Sequence, residues 1–235
     1  MHALIYGATS GQHRVLPYSP ALRPPHGPSP REIVGQGIPA RFRKGQTILS
    51  EGDLAERCFE VVRGVVRAYR ILPDGRRQIV DFLFPGEILG FGLEGTYEYS
   101  ADAVTETSVQ GFGRAALDRL SVEQPALAAR LRDSTYRDLR AAQDHIVLLG
   151  RKTASERVAS FFLALARKSG AADEGRDTIW VPMSQCDIAD YLGLTTETVN
   201  RVMSQLRENG TISAPARGLV RIHQPIELED VANAA

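Results

Sequence analysis

The chain has 235 residues, 43% hydrophobic and 24% charged, with 28 basic residues set against 28 acidic ones. That length allows one large domain or two modest ones, and no stretch offers the roughly 20 apolar residues of a membrane helix. The charge balance argues against an indiscriminate nucleic-acid coat, yet a specific binder needs only a local basic face.

The first 30 residues contain PYSPALRPPHGPSP, too rich in proline for a helix or a sheet ladder, and read as a tail. A short helix is expected near Arg31 to Gly37. No secretory pattern of basic, apolar and small residues opens the chain, so a cytoplasmic address and no membrane partner are expected.

From Ile38 to about Gly113 the texture is short β-rich runs: TILSEGD, CFEVVRG, VVRAYRIL, RQIVDFLF and SVQGF. Gly45, Gly52, Gly64, Gly75 and Gly86 recur where a tight β-fold must reverse, and PDGRR carries the Asp-Gly pair of a hairpin. Closely spaced strands of this kind suggest an antiparallel barrel or roll.

After Leu117 the pattern turns helical, and from about Ala126 to Leu149 it runs without glycine or proline. Leu131, Thr135, Leu139, Ala142, Ile146 and Leu149 alternate spacings of four and three, as in a coiled-coil seam. A helix packed on its own barrel gives the same periodicity; the length favours self-association. Gly150 is expected to break this helix. KTASERVASFFLALARKSG then starts another, with Val158, Phe161, Phe162, Leu165 and Ala166 on one face and Gly170 as its stop. A polar loop over 171–177 and a strand at TIWVP follow.

Residues 184–206, SQCDIADYLGLTTETVNRVMSQL, hold two short helical patterns pivoting on one glycine. Ser184 is a natural N-cap, with Asp187 three residues on in capping-box fashion. Ala189 stands where a second helix crosses closest, and Gly193 where the turn needs a left-handed backbone. Ile188, Leu192 and Leu194 complete a small core. The second helix is expected from about Thr196 to Glu208, with Val199, Val202, Met203 and Leu206 inward and Thr196, Glu197, Asn200, Arg201 and Gln205 outward. The bland reading of Glu197 and Arg201 is an i,i+4 surface ion pair. The sharper one is base recognition, with arginine reaching guanine and glutamate an exocyclic amine, and the surrounding framework favours it. GTISAPARGLVRIH reads as a hairpin wing turning near Pro215 to Gly218, where Arg217 and Arg221 stand in reach of phosphates or of solvent. Ser184, Gln185, Thr195, Thr198, Gln205 and Arg217 are the candidate contacts to the DNA backbone.

Taken together, FRKGQTILSEGD, FEVVRGVVR, the long helix and CDIADYLGLTTETVNRVMSQL resemble the CRP/FNR superfamily of transcription regulators over about residues 38–230. GRKTASERVASFFL and ETVNR are most similar to its FNR/FixK branch. The resemblance implies an α+β fold: an N-terminal antiparallel β-roll of the jelly-roll-like, cyclic-nucleotide-binding type, a long dimerisation helix, and a C-terminal winged helix-turn-helix. On this reading the domains are a tail at 1–30, the roll at 31–122, the dimerisation helix at 123–150 and the DNA-binding domain at 151–235. The branch motif E-x-x-S-R is met by Glu197 and Arg201. Asn200 replaces the serine, which leaves the preference at one base pair open, and Thr196 stands where CRP has an arginine. A homodimer on palindromic, TTGAT-type promoter DNA, touching RNA polymerase and acting as an activator in low-oxygen or nitrogen-fixation control, is what the resemblance implies.

The departures matter as much. Cyclic-nucleotide binders hold the phosphate with an Arg-Ser/Thr pair after a Gly-Glu; Gly86 and Glu87 are present, but the later pair reads Tyr99-Ser100, so cyclic AMP is not expected. Cys58 and Cys186 are the two cysteines, and the N-terminus has none for an iron–sulfur cluster, so no cofactor and no metal are expected. Cys186 falls in the first turn of a helix, where N–H groups and the dipole favour negative charge, and is a candidate redox switch; an inert cysteine chosen for size is the competing reading. Nothing sets a catalytic His or Asn beside it, so an enzyme is not expected. The alternative is a CRP-like sensor holding a different small molecule in its roll.

Overall fold

The structure, a computed structural model, describes residues 37–91, 95–168 and 177–234. The proline-rich tail, the short helix expected near Arg31, Gly170 and most of the polar loop after it lie outside the described residues.

Eight strands build two four-stranded antiparallel sheets, ordered β1-β8-β3-β6 and β2-β7-β4-β5. They are β1 (Ile38–Phe42), β2 (Thr47–Leu49), β3 (Arg57–Arg63), β4 (Val66–Ile71), β5 (Arg77–Leu83), β6 (Ile88–Leu89), β7 (Ser100–Ala103) and β8 (Thr107–Gly113). Inward residues such as Val61, Val66, Leu89 and Ala101 close a core between the sheets. The five β-rich runs of the sequence become β2, β3, β4, β5 and β8, although TILSEGD is a strand only through Leu49 and turns over its acidic end. The reading passed over β1, β6 and β7. Pro39 sits in β1, which lies on a sheet edge where its missing N–H is tolerated. Small, polar SADA becomes β7 because β2 and β4 pair with it on either side. The Asp-Gly hairpin joins β4 to β5, with Gly75 at φ 84°. Gly64 is required twice over: its φ is 92°, and a Cβ there would lie 2.4 Å from the Glu106 carbonyl oxygen.

Helix α1 (Arg114–Glu123) leads into the long α2 (Pro125–Arg151), which starts on proline at its first turn. Gly150 does not break it, contrary to expectation: one glycine costs a helix about 1 kcal/mol, too little to stop it. The stop comes two residues later, where Lys152 turns extended (φ −84°, ψ 142°) and Thr153 and Glu156 exchange capping-box hydrogen bonds that open α3 (Ala154–Lys168). Val158, Phe161, Phe162, Leu165 and Ala166 of α3 are all buried, as its periodicity required. They pack with α4 (Gln185–Leu192), α5 (Thr196–Glu208), and the three-stranded sheet of β9 (Thr178–Trp180), β10 (Ile212–Ser213) and β11 (Leu219–Ile222). A last helix, α6 (Pro225–Ala232), which the sequence reading did not foresee, places Leu228 in the same core. That core continues into Val65, Ile79 and Phe82 of the roll, so the two halves share one apolar seam. No helix among the described residues is long and apolar enough to cross a membrane.

Candidate nucleic-acid interface

Helix α4 opens as the capping box requires. Ser184 Oγ accepts from the Asp187 N–H at 3.0 Å, and Asp187 Oδ2 accepts from the Ser184 N–H at 3.3 Å and from its hydroxyl at 2.8 Å. The helix ends at Gly193, at φ 61° and ψ 39°, the left-handed geometry that only glycine adopts freely. The turn is also tight: a Cβ on Gly193 would stand 3.3 Å from Leu149. Thr195 Oγ1 then accepts from the Thr198 N–H at 3.2 Å and caps α5. Ala189, Ile188 and Leu192 are buried at the crossing, and Val199, Val202, Met203 and Leu206 anchor α5 from the other side. Two helices joined by a glycine turn, followed by a β-hairpin, form a winged helix-turn-helix.

Anchored on that face, α5 turns Thr196, Glu197, Arg201 and Gln205 to solvent. Asn200 departs from the expectation: it is half-buried, and its amide oxygen is shielded without a hydrogen-bond partner among the described residues. It sits at the margin of the exposed face because Val199 beside it is fully inward. Among the described residues the i,i+4 ion pair that forms lies elsewhere, between Arg140 and Asp144 at 4.0 Å. The Glu197 and Arg201 head groups stay open to the outside. Ser184 and Gln185 are exposed at the N-terminus of α4, Thr195 is exposed, and the Thr198 hydroxyl lies 2.9 Å from that of Thr195. Arg217 is exposed at the wing turn, whereas Arg221 leans on Asp177 and Thr178, each at 3.2 Å. Cys186 is exposed, with Sγ 4.0 Å from Asp190 Oδ2.

The long helix divides its seam. Thr135, Leu139, Ala142 and Ile146 are exposed, with Leu139 at 54% and Ile146 at 70%, and Tyr136 and Val147 lie open beside them. Leu131 packs instead against the apolar cluster of Cys58, Phe112 and Leu127, and Leu149 against the Gly193 turn. His145 is half-buried, stacked on Tyr191 of α4 with ring centroids 4.2 Å apart and Nε2 2.8 Å from the Tyr191 carbonyl oxygen. Burial lowers its pKa, so the ring stays neutral and its N–H donates to that oxygen.

Sequence reasoning missed the side chains that tie this unit to the roll. Arg67 of β4 donates to Asp187 Oδ1 at 2.9 Å and to Asp102 at 2.9 Å. Arg77 of β5 donates to the same Asp187 oxygen at 2.7 Å and to Asp190 at 2.8 Å, and Gln78 reaches the Tyr191 carbonyl at 3.3 Å. The partners that cross from roll to winged helix stand more than 100 residues apart, and no local pattern marks them. Near the Gly86–Glu87 turn, Glu87 accepts from the Phe84 N–H at 2.7 Å and meets Lys168 of α3 at 3.2 Å. Burial pushes the Tyr99 hydroxyl up to about 12, and its oxygen accepts from the Gly90 N–H at 3.0 Å.

A β-roll, a long helix with an apolar exposed stripe and a winged helix-turn-helix with an open reading face define a DNA-binding regulator. The chain belongs to the CRP/FNR family of transcription regulators, in its FixK/FNR-type branch, and is not an enzyme. Residues 156–231 match the Crp-like helix-turn-helix domain and residues 39–123 the cyclic nucleotide-binding domain. It is 42% identical over 204 residues to the nitrogen fixation regulation protein FixK of Bradyrhizobium diazoefficiens, covering 87% of this chain and 86% of that protein. To the FixK protein of Rhizobium meliloti it is 39% identical over 207 residues, with 88% and 92% covered. Among solved structures, FixK2 from Bradyrhizobium japonicum superposes with a TM-score of 0.78 at 38% identity, over 84% of this chain and 98% of that one.

Proposed function

We propose that two copies of this chain pair along the exposed stripe of α2 and present their α5 helices to a palindromic TTGAT-type promoter site. The reading treats 1–30 as a tail, 31–122 as the roll, 123–150 as the dimerisation helix and 151–235 as the DNA-binding domain. Two-fold pairing would set the recognition helices about 34 Å apart, one DNA turn, so that both enter the major groove on one side of the duplex. Arg201 would donate two hydrogen bonds to guanine O6 and N7, and Glu197 would accept from an exocyclic amine. Ser184, Gln185, Thr195, Thr198, Gln205 and Arg217 would meet phosphates, and Thr196 and Asn200 would line the base edges. The carrying observation is the exposed edge of α5, with Glu197 and Arg201 outward on a helix anchored by four buried residues. The protein would act in the cytoplasm as an activator that contacts RNA polymerase, in low-oxygen or nitrogen-fixation control, as the FixK-named relatives suggest. It would need no small effector: Glu87 is engaged by Lys168, and Tyr99 stands where a phosphate-binding arginine would be needed.

The test is a band shift on a duplex of TTGAT and ATCAA separated by four base pairs, without added effector, over a salt series. Arg201→Ala should lose about 1–3 kcal/mol on that duplex and little on random DNA. Equal loss on both would make Arg201 a backbone contact, and a wild type that binds scrambled duplex as well as the palindrome would end the reading.

A further inference from the structure

Arg157 lies in the first turn of α3, between the long helix and the reading unit. Its guanidinium donates three hydrogen bonds, all to main-chain oxygens: Nε to Lys152 at 2.8 Å, Nη2 to Leu149 at 2.8 Å, and Nη1 to Leu192 at 2.9 Å. Leu149 and Lys152 belong to the C-terminal end of α2, and Leu192 is the last residue of α4. The last carbonyls of a helix lack intrahelical donors and carry the negative end of its dipole, so a cationic fork suits both ends at once. The guanidinium is planar, with donors in fixed directions, and therefore holds the angle between the two helix ends as well as their distance. The packing repeats the constraint, because a Cβ on Gly193 would stand 3.3 Å from Leu149 and 3.5 Å from Arg157 Nη1. Three residues beyond Leu192, Thr195 caps the recognition helix. At this junction Arg157 bridges the end of the long helix and the end of the helix that precedes the reading head, and the His145–Tyr191 contact joins the same two helices beside it.

We infer that Arg157 is a positioning residue that sets which half-site spacing the dimer accepts. The inference rests on the dimeric, palindrome-binding reading above. Each base pair inserted between half-sites moves them apart by about 3.4 Å and turns one relative to the other by about 35°. Recognition helices clamped to the long helices cannot follow that displacement, and unclamped ones can. Base reading within each half-site depends on α5 alone and does not pass through Arg157.

Full-length wild type, Arg157→Gln and Arg157→Lys are compared in band shifts on duplexes whose half-sites are three, four, five or six base pairs apart. A further four-base-pair duplex carries one altered base pair in a half-site. The wild type should prefer its best spacing over the next by about tenfold or more, in the range of a base-pair mismatch. Arg157→Gln should lose most of that preference while keeping the wild-type mismatch penalty. Retained spacing selectivity overturns the inference, and so does a mismatch penalty lost together with spacing, which would make Arg157 a support of the reading unit's fold. If circular dichroism shows Arg157→Gln unfolded, Arg157→Lys is read by the same criteria, since lysine keeps the charge without the fork. A wild type indifferent to the palindrome removes the dimer reading and this inference with it; a selective wild type matched by its variants removes this inference alone.

Discussion

Replacing Asp187 by alanine perturbs the joint between the roll and the reading unit at its most connected atom pair. Asp187 is 4% exposed, yet one oxygen takes a guanidinium N–H from each of Arg67 and Arg77 and the other closes the α4 capping box. Breaking a buried ion pair ordinarily costs about 3–5 kcal/mol because a charge is stranded. Here neither arginine is stranded: Arg67 keeps Asp102 at 2.9 Å and Arg77 keeps Asp190 at 2.7 Å. The loss is therefore one capping interaction, about 1 kcal/mol, and part of two charge-assisted hydrogen bonds, for a total of about 2–3 kcal/mol. Urea unfolding reads it, followed by far-ultraviolet circular dichroism and by fluorescence of Trp180, the single tryptophan, on the winged-helix sheet. A double-mutant cycle with Arg77→Ala should return a coupling of about 1–2 kcal/mol. A loss below about 0.5 kcal/mol with no coupling would refute the reasoning, because the joint would then contribute no more than a solvated surface pair.

Four further outcomes are expected. Ile146→Asp, at a site 70% exposed in one chain, should yield a folded monomer by light scattering and circular dichroism, with a urea midpoint that is lowered and no longer depends on protein concentration; a persisting dimer would move the pairing surface elsewhere. Burial pushes the Cys58 thiol up to about 11 while Cys186 is exposed, so iodoacetamide should label Cys186 first. Peroxide should then abolish DNA binding by the wild type but not by Cys186→Ser, and equal loss in both would end the redox proposal. Burial, with Asp81 and Glu87 nearby, raises the Asp138 carboxyl from 3.8 to about 7. Between those values the folded chain holds a proton that the unfolded chain has released, so stability is greatest below the lower value and falls as pH rises toward the upper one. The side chain is partly open to solvent, which limits the effect to about 1 kcal/mol; Asp138→Asn should flatten the melting temperature between pH 5 and 8, and an unchanged slope would assign it to other groups.

The helix-turn-helix was legible in the sequence because every device that builds it is local. Ser184 with Asp187, Ala189, Gly193 and the inward run of α5 act within a few residues of one another, and their spacing alone sets cap, crossing and turn. The strands with strong β character were legible for the same reason. What only the tertiary structure decided is whatever depends on partners distant along the chain. SADA becomes a strand because β2 and β4 flank it, and the half-buried Asn200 is set by how α5 seats on its core. A coiled-coil period could not tell that Leu131 and Leu149 turn inward while Leu139 and Ile146 stay exposed, since periodicity assigns a face and not its neighbour. Arg67 and Arg77 look like solvated arginines in sequence, and Arg157 like one more charge on an amphipathic helix. Their acceptors are a carboxylate more than 100 residues away and carbonyls at two helix ends, and only the folded chain brings those within hydrogen-bond reach.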